Sequence, residues 1–152
     1  MNLNALGAII GPDWPDTVQL PKEYFLTRGC FIDARGTLEI DDTSTWGIGV
    51  KIITKSHDIA YNNTVGKVVD RPVVVKANAW IGSFSLLYNC IIGEGSVVAA
   101  GSVVRSCEIM PGVMVAGNPA QKIAARNDSG KWVYFNPKWR TMTREQDFCT
   151  RM

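Results

Sequence analysis

Residues 75–91, VKANAWIGSFSLLYNCI, and residues 92–108, IGEGSVVAAGSVVRSCE, align one above the other without a gap. Val75 then meets Ile92, Trp80 meets Val97, Ile81 meets Val98, Ser85 meets Ser102, Leu87 meets Val104 and Cys90 meets Cys107, a repeat of 17 residues. Ile109, Met114, Val115 and Ala116 begin a third, partial copy. Each copy holds a shorter beat, because Val75, Ile81 and Leu87 are six apart, as are Ile92, Val98 and Val104, and a five-residue step closes the round. A small residue often follows the aliphatic one, as in Ile81-Gly82 and Val98-Ala99, and another stands four beyond it, at Ala79, Ser85, Ser96 and Ser102.

A period of six fits neither a helix, which repeats at about 3.6, nor a two-faced strand, which repeats at 2. It fits an all-β fold in which a parallel β-helix coils into a triangular prism, three short strands to the turn, with small residues at the tight corners. β-Branched pairs such as Val97-Val98 and Val103-Val104 suit strands with one face buried. A β-sandwich would need this spacing to be coincidental. Upstream, Ile32, Ile40, Trp46 and Ile52 continue the pattern, with Gly36, Ser44, Val50 and Ser56 in the small positions. Cys90 over Cys107 reads as two small hydrophobes in a ladder.

The beat breaks once, after His57, the only histidine in the chain. Residues 58–72, DIAYNNTVGKVVDRP, are polar and carry Gly and Pro, and the pattern resumes at Val73 to Val75. This segment is expected to leave the prism as a loop, and insertions in repeat proteins commonly carry function.

The chain of 152 residues fits one domain. We expect an N-terminal segment and first coil over 1–29, the solenoid over 30–118 with its excursion at 58–72, and a C-terminal extension over 119–152. Its apolar content of 46% and net charge of +2 are those of an ordinary globular protein and give no reason to expect nucleic acid as a partner. No apolar run approaches the roughly 18 residues of a membrane span. The opening MNLNALGAIIGPDWPD has no basic region ahead of its short apolar run, so a cytoplasmic location is expected. The four cysteines form no CxxC or Cys/His pattern and are expected to be reduced, with no metal site. From Lys122 onward the chain is locally basic, which suits either a solvated tail or a phosphate-binding edge.

The stretches FIDARGTLEIDD, TKSHD, AWIGS, IGEGSVVAAGSVV and VMVAGNPAQKI, in that order over about residues 30–125, resemble the hexapeptide-repeat acyltransferases. That group contains galactoside, maltose, serine and antibiotic acetyltransferases and the O-acetyltransferases of polysaccharide assembly. The resemblance implies a left-handed β-helix, an exception to the right-handed crossover rule, and a homotrimer with active sites in the clefts between subunits. It also implies acetyl-CoA as co-substrate, and attack on its thioester by an acceptor hydroxyl or amine.

A hydroxyl needs a base near neutral pKa, which histidine supplies, so His57 is the expected general base. A carboxylate or carbonyl should orient it, with Asp58, Asp33 and Glu39 available. By the same resemblance Trp80 packs beside the pantetheine arm and the Ser83 N–H donates to the thioester oxyanion. Gly82, Ala100, Gly101 and Ser102 flank the cofactor groove, Arg105 stands where threonine is frequent, and Asn118 and Pro119 border the nucleotide. Lys122 and Arg126 are expected to meet the phosphates, with Gln121 at a position that is commonly basic. For the acceptor, Asp33, Asp58, Tyr61, Asn62 and Asn63 offer carboxylates, amides and an aromatic face suited to sugar hydroxyls.

O-acetylation of a saccharide is the first expectation. N-acetylation of an amino sugar or antibiotic, or a non-catalytic β-helix scaffold, are the alternatives. A γ-type carbonic anhydrase on the same solenoid needs three histidine ligands, which one histidine per chain does not supply at a loop position.

Overall fold

In the computed structural model, residues 29–58 and 67–135 are described in full, and residues 9–10 and 149–150 as backbone strands. Sixteen strands and no helix occur among them.

The strands stack on three sides of a prism. The first side holds β1 (Ile9–Ile10), β2 (Phe31–Asp33), β5 (Lys51–Ile53) and the opening halves of β10 (Leu86–Ile92) and β12 (Val103–Ile109). On the second lie β3 (Leu38–Ile40), β8 (Val73–Val75), the closing halves of β10 and β12, and β16 (Cys149–Thr150). The third holds β4 (Thr45–Trp46), β9 (Trp80–Ile81), β11 (Val97–Val98), β13 (Val113–Gly117), β14 (Ala120–Arg126) and β15 (Trp132–Tyr134). A separate hairpin joins β6 (Lys55–His57) to β7 (Val68–Asp70).

The 17-residue repeat is the register of the stack. Leu87 pairs with Val104, Cys90 with Cys107, Ile92 with both Val75 and Ile109, and Ile81 with Val98, all in parallel. Each coil thereby hydrogen-bonds to the coils above and below, as expected of a parallel β-helix.

The inward positions are filled by Ile32, Ile52, Leu87 and Val104 on the first side, Ile40, Val75, Ile92 and Ile109 on the second, and Trp46, Ile81, Val98 and Val115 on the third, all buried. Each fully buried aliphatic side chain contributes roughly 1.5–3 kcal/mol of transfer free energy. The buried Trp46 satisfies its ring N–H by donating to Ser44 Oγ at 2.8 Å.

The small residues close the corners. The hydroxyls of Ser44, Ser85 and Ser102 donate to the carbonyls three residues back, those of Asp41, Gly82 and Ala99, at 2.6–2.8 Å. β10 and β12 bend between the first and second sides at Asn89 and Ser106, which adopt φ of +49° and +51°.

Beyond β13 the chain reverses, and β14 and β15 add antiparallel strands to the third side. β15 carries Trp132 and Tyr134, and the Phe135 N–H just beyond it donates to the Ile123 carbonyl at 3.0 Å. Cys30 and Cys90 are thiols outside any disulfide, and burial pushes the Cys90 thiol up to about 12. Cys107 is disulfide-bonded, which corrects the expectation that every thiol is reduced. Among the described residues no helix is long and apolar enough to cross a membrane.

Candidate active site

Every irregular stretch of the described coils lies at one edge, between the first and second sides. From inward aliphatic to inward aliphatic across this edge, Leu87 to Ile92 and Val104 to Ile109 take five residues, Ile32 to Ile40 takes eight, and Ile52 to Val75 takes 23. The long step is the excursion carrying His57.

The excursion begins as the β6–β7 hairpin, with Lys55 opposite Asp70, Ser56 opposite Val69 and His57 opposite Val68. The chain therefore leaves the prism at Lys55, three residues before the break in the aliphatic beat. Thr54 causes the early departure. It is buried, its hydroxyl donates to the Asp33 carbonyl, and the same oxygen accepts from the Gly36 N–H at 2.8 Å. Ser56, whose spacing suits another corner, stands in the hairpin instead.

His57 ends β6 with its side chain exposed. Each of the three expected orienting carboxylates has an ion-pair partner of its own. Asp58 pairs with Lys67 at 3.4 Å, and Glu39 with Lys76 at 3.9 Å. Asp33 is buried and accepts two bonds from the Arg35 guanidinium, at 2.7 and 2.9 Å. Those bonds from Arg35 hold the Asp33 carboxyl below its ordinary value against the opposing effect of burial. The acidic residues assigned to the acceptor are thus partly committed to ion pairs of their own. Tyr61, Asn62 and Asn63 lie outside the described residues.

Trp80, Gly82, Ser83, Ala100, Gly101 and Ser102 gather at the edge between the third and first sides, whereas Arg126 lies at the far end of β14, where its N–H donates to the Gly112 carbonyl at 2.8 Å. Trp80 opens β9 with 52% of its surface exposed. Gly82 makes the tightest approach, since a Cβ there would meet the Ala100 N at 2.5 Å and the Val98 carbonyl at 2.7 Å. The corner consumes most of its amides internally: Gly82 donates to Val98, Phe84 to Ile48, Ser85 to Gly82 and Gly101 to Ser83. Among the described residues nothing accepts from the N–H of Ser83 or of Ala100. These two amides are therefore unpaired among the described residues, a feature that side-chain identity does not reveal. Ser102 is fully buried, and its hydroxyl also accepts from the Gly117 N–H at 3.2 Å, so it offers a groove only its backbone.

Arg105 is exposed on the first side, opposite Tyr88. Asn118 and Pro119, joined by a cis peptide, form the turn between β13 and β14. Lys122 Nζ lies 4.7 Å from the centre of the Phe135 ring. The Arg126 guanidinium stacks 4.3 Å from the Trp132 ring centre and donates to the Gly130 carbonyl at 2.7 Å. Both cations are held on aromatic faces, which steadies them without neutralising their charge.

One chain does not bring its two halves of the site together. His57 leaves from one edge of the first side and Ser83 sits at the other, with the strand Leu86–Tyr88 between them. At about 3.3 Å per residue that strand alone spans on the order of 10 Å. Among the described residues no group of three or more His, Cys, Asp or Glu side chains is placed to hold a metal.

Comparison with known proteins follows this geometry. The family described as bacterial transferase hexapeptide (six repeats) matches residues 72–106. The galactoside O-acetyltransferase of Escherichia coli K12 is 36% identical over 120 residues, 78% of this chain and 59% of its own length. The chain spans little more than half the length of the curated relatives it matches. A hexapeptide-repeat acetyltransferase from Vibrio cholerae, solved with acetyl coenzyme A, superposes with a TM-score of 0.67 at 23% identity over 83% of this chain and 74% of that one. An N-acyltransferase from Bacillus cereus, solved with dTDP-4-amino-4,6-dideoxyglucose and coenzyme A, gives 0.60 at 20% identity over 81% and 80%.

Proposed function

Because the chain belongs to the hexapeptide-repeat family, we propose that it transfers an acetyl group from acetyl-CoA to a hydroxyl of a saccharide acceptor. The carrying observation is the division of the site: a lone exposed histidine on a hairpin at one edge, and unpaired backbone donors beside Trp80 at the next. The galactoside acceptor named for the Escherichia coli relative supports the choice of saccharide.

In this reading His57 accepts the proton of the acceptor hydroxyl on a ring nitrogen while the oxygen attacks the thioester carbonyl. The Ser83 N–H donates to the thioester carbonyl oxygen as that oxygen gains charge. When the carbon–sulfur bond breaks, the imidazolium returns its proton to the departing sulfur, leaving an acetyl ester, a free thiol and a neutral His57. Trp80 flanks the pantetheine arm, Gly82, Ala100 and Gly101 admit it close to the backbone, and Ser102 contributes backbone only. Arg105, Asn118, Pro119, Lys122 and Arg126 line its phosphate end. The acceptor lies among Asp33, Asp58 and the 58–72 excursion.

Since the two halves lie at different edges of one prism, a homotrimer completes the site, with His57 of one chain meeting the Ser83 edge of its neighbour. Calorimetric titration with acetyl-CoA, beside the mass in solution, tests this. Binding near one per chain in a trimer is expected, and a folded protein that binds none refutes the reading. His57→Ala should keep that binding and lower turnover at least about a hundredfold. A panel pairing each sugar with its amino analogue separates O- from N-transfer.

A further inference from the structure

Among the described residues the β6–β7 hairpin shares no strand ladder with either sheet of the solenoid. Backbone pairing, which fixes every coil to its neighbours, does not fix the element that presents His57. Its attachment falls to a few contacts at its base, and these converge on Asp70.

Asp70 closes β7, directly opposite Lys55. Its carboxylate reaches back to the short insertion of the first coil, accepting from the Thr37 N–H at 3.0 Å and the Thr37 hydroxyl at 2.6 Å. It also accepts from the Arg71 N–H at 3.1 Å and lies 3.7 Å from Lys55 Nζ. The Arg71 N–H itself donates to the Thr54 carbonyl at 2.7 Å. Gly36 makes the approach possible, because a Cβ there would collide with both Asp70 Oδ1 and the Thr54 carbonyl oxygen. Thus the extra residues of the eight-residue step in the first coil, Gly36 and Thr37, serve as the seat for the hairpin of the second coil.

We infer that Asp70 is a positioning residue: through Thr37 and Gly36 it latches the hairpin to the first coil and so sets where His57 stands. The inference rests on the proposed role of His57 for its catalytic consequence, though not for the latch itself. Thr37 and Lys55 favour the charged form of Asp70, and these contributions outweigh burial, so the carboxyl titrates below its ordinary value and is ionised at neutral pH.

The test uses the full chain and the fact that it has one histidine, whose ring signals in an NMR spectrum are assigned without ambiguity. In Asp70→Ala and in Thr37→Val the His57 signals should move toward those of free histidine, and the amides of 55–57 should lose protection while those of 86–92 keep theirs. Turnover should fall about tenfold to a hundredfold with KM for acetyl-CoA unchanged, since misplacement by an ångström costs on that order. Asp70→Asn, whose amide oxygen still accepts from Thr37, should recover much of both. Unchanged His57 signals and amide protection in folded Asp70→Ala and Thr37→Val overturn the latch. If the signals move but His57→Ala turns over like the native protein, the latch stands and the base assignment is what fails.

Discussion

The third side of the prism and the edge between its first and second sides are cut from the same coils, yet they are held by different means. On the third side Trp46, Ile81, Val98 and Val115 stack in register, and parallel ladders join β4, β9, β11 and β13. At the edge the step varies from five residues to 23, and location depends on Thr54, Asp70, Asp33 and their partners. Constant spacing lets the backbone do the positioning. Once a chain is inserted, individual side chains must take over, and His57, the base proposed above, sits on the part so held.

This contrast is broken most severely by Ile81→Asp. An unpaired carboxylate in a fully buried ladder position has no partner to offset its desolvation, so circular dichroism should show loss of the folded state, and a normal melt would mean the register is wrong. Leu87→Ala, also fully buried, should cost about 2–5 kcal/mol in denaturant unfolding. Val68→Ala, in the hairpin with 56% of its surface exposed, should stay within about 0.5 kcal/mol. Equal losses at the two sites would erase the distinction between core and excursion. Ser102→Ala strips a buried corner of a donor and an acceptor and should cost about 1–3 kcal/mol.

The smallest effect concerns acid. Asp33 and Asp70 both titrate below their ordinary 3.8 in the fold, Asp33 chiefly through Arg35 and Asp70 through Thr37 acting against burial. Their ionised forms therefore favour the folded protein. That contribution is complete above the unfolded value, about pH 4, and is lost as pH falls through the folded values. Amide exchange followed downward from pH 5 should show the hairpin losing protection before the ladders of β9 and β11. Simultaneous loss would argue against separate anchoring.

The sides of the prism were legible because each inward position recurs at a fixed interval, and Ile81, Leu87 and Ile92 announce it in the bare sequence. The hairpin was not, since Lys55-Ser56-His57 and Val68-Val69-Asp70 are too short and polar to show a strand alternation, and Ser56 happens to suit a corner. Asp33 was legible as a carboxylate near the site but not as the partner of Arg35. The free N–H groups of Ser83 and Ala100 leave no trace in side-chain identity, because they follow from corner geometry. Lys122 and Arg126 showed as charges, while the rings of Phe135 and Trp132 beneath them depend on a chain reversal that has no repeat to signal it.

That reversal bears on solubility. A parallel stack ends in a row of open backbone donors and acceptors, which is a template for another stack of the same kind. On the third side β14 and β15 fold back over β13, so the open edge is the three-residue strand β15 and the uncovered part of β14, on a surface carrying Lys122 and Arg126. A short edge strand beside cations disfavours the addition of one prism to the end of the next, so a form lacking the meander should be more prone to grow into fibres.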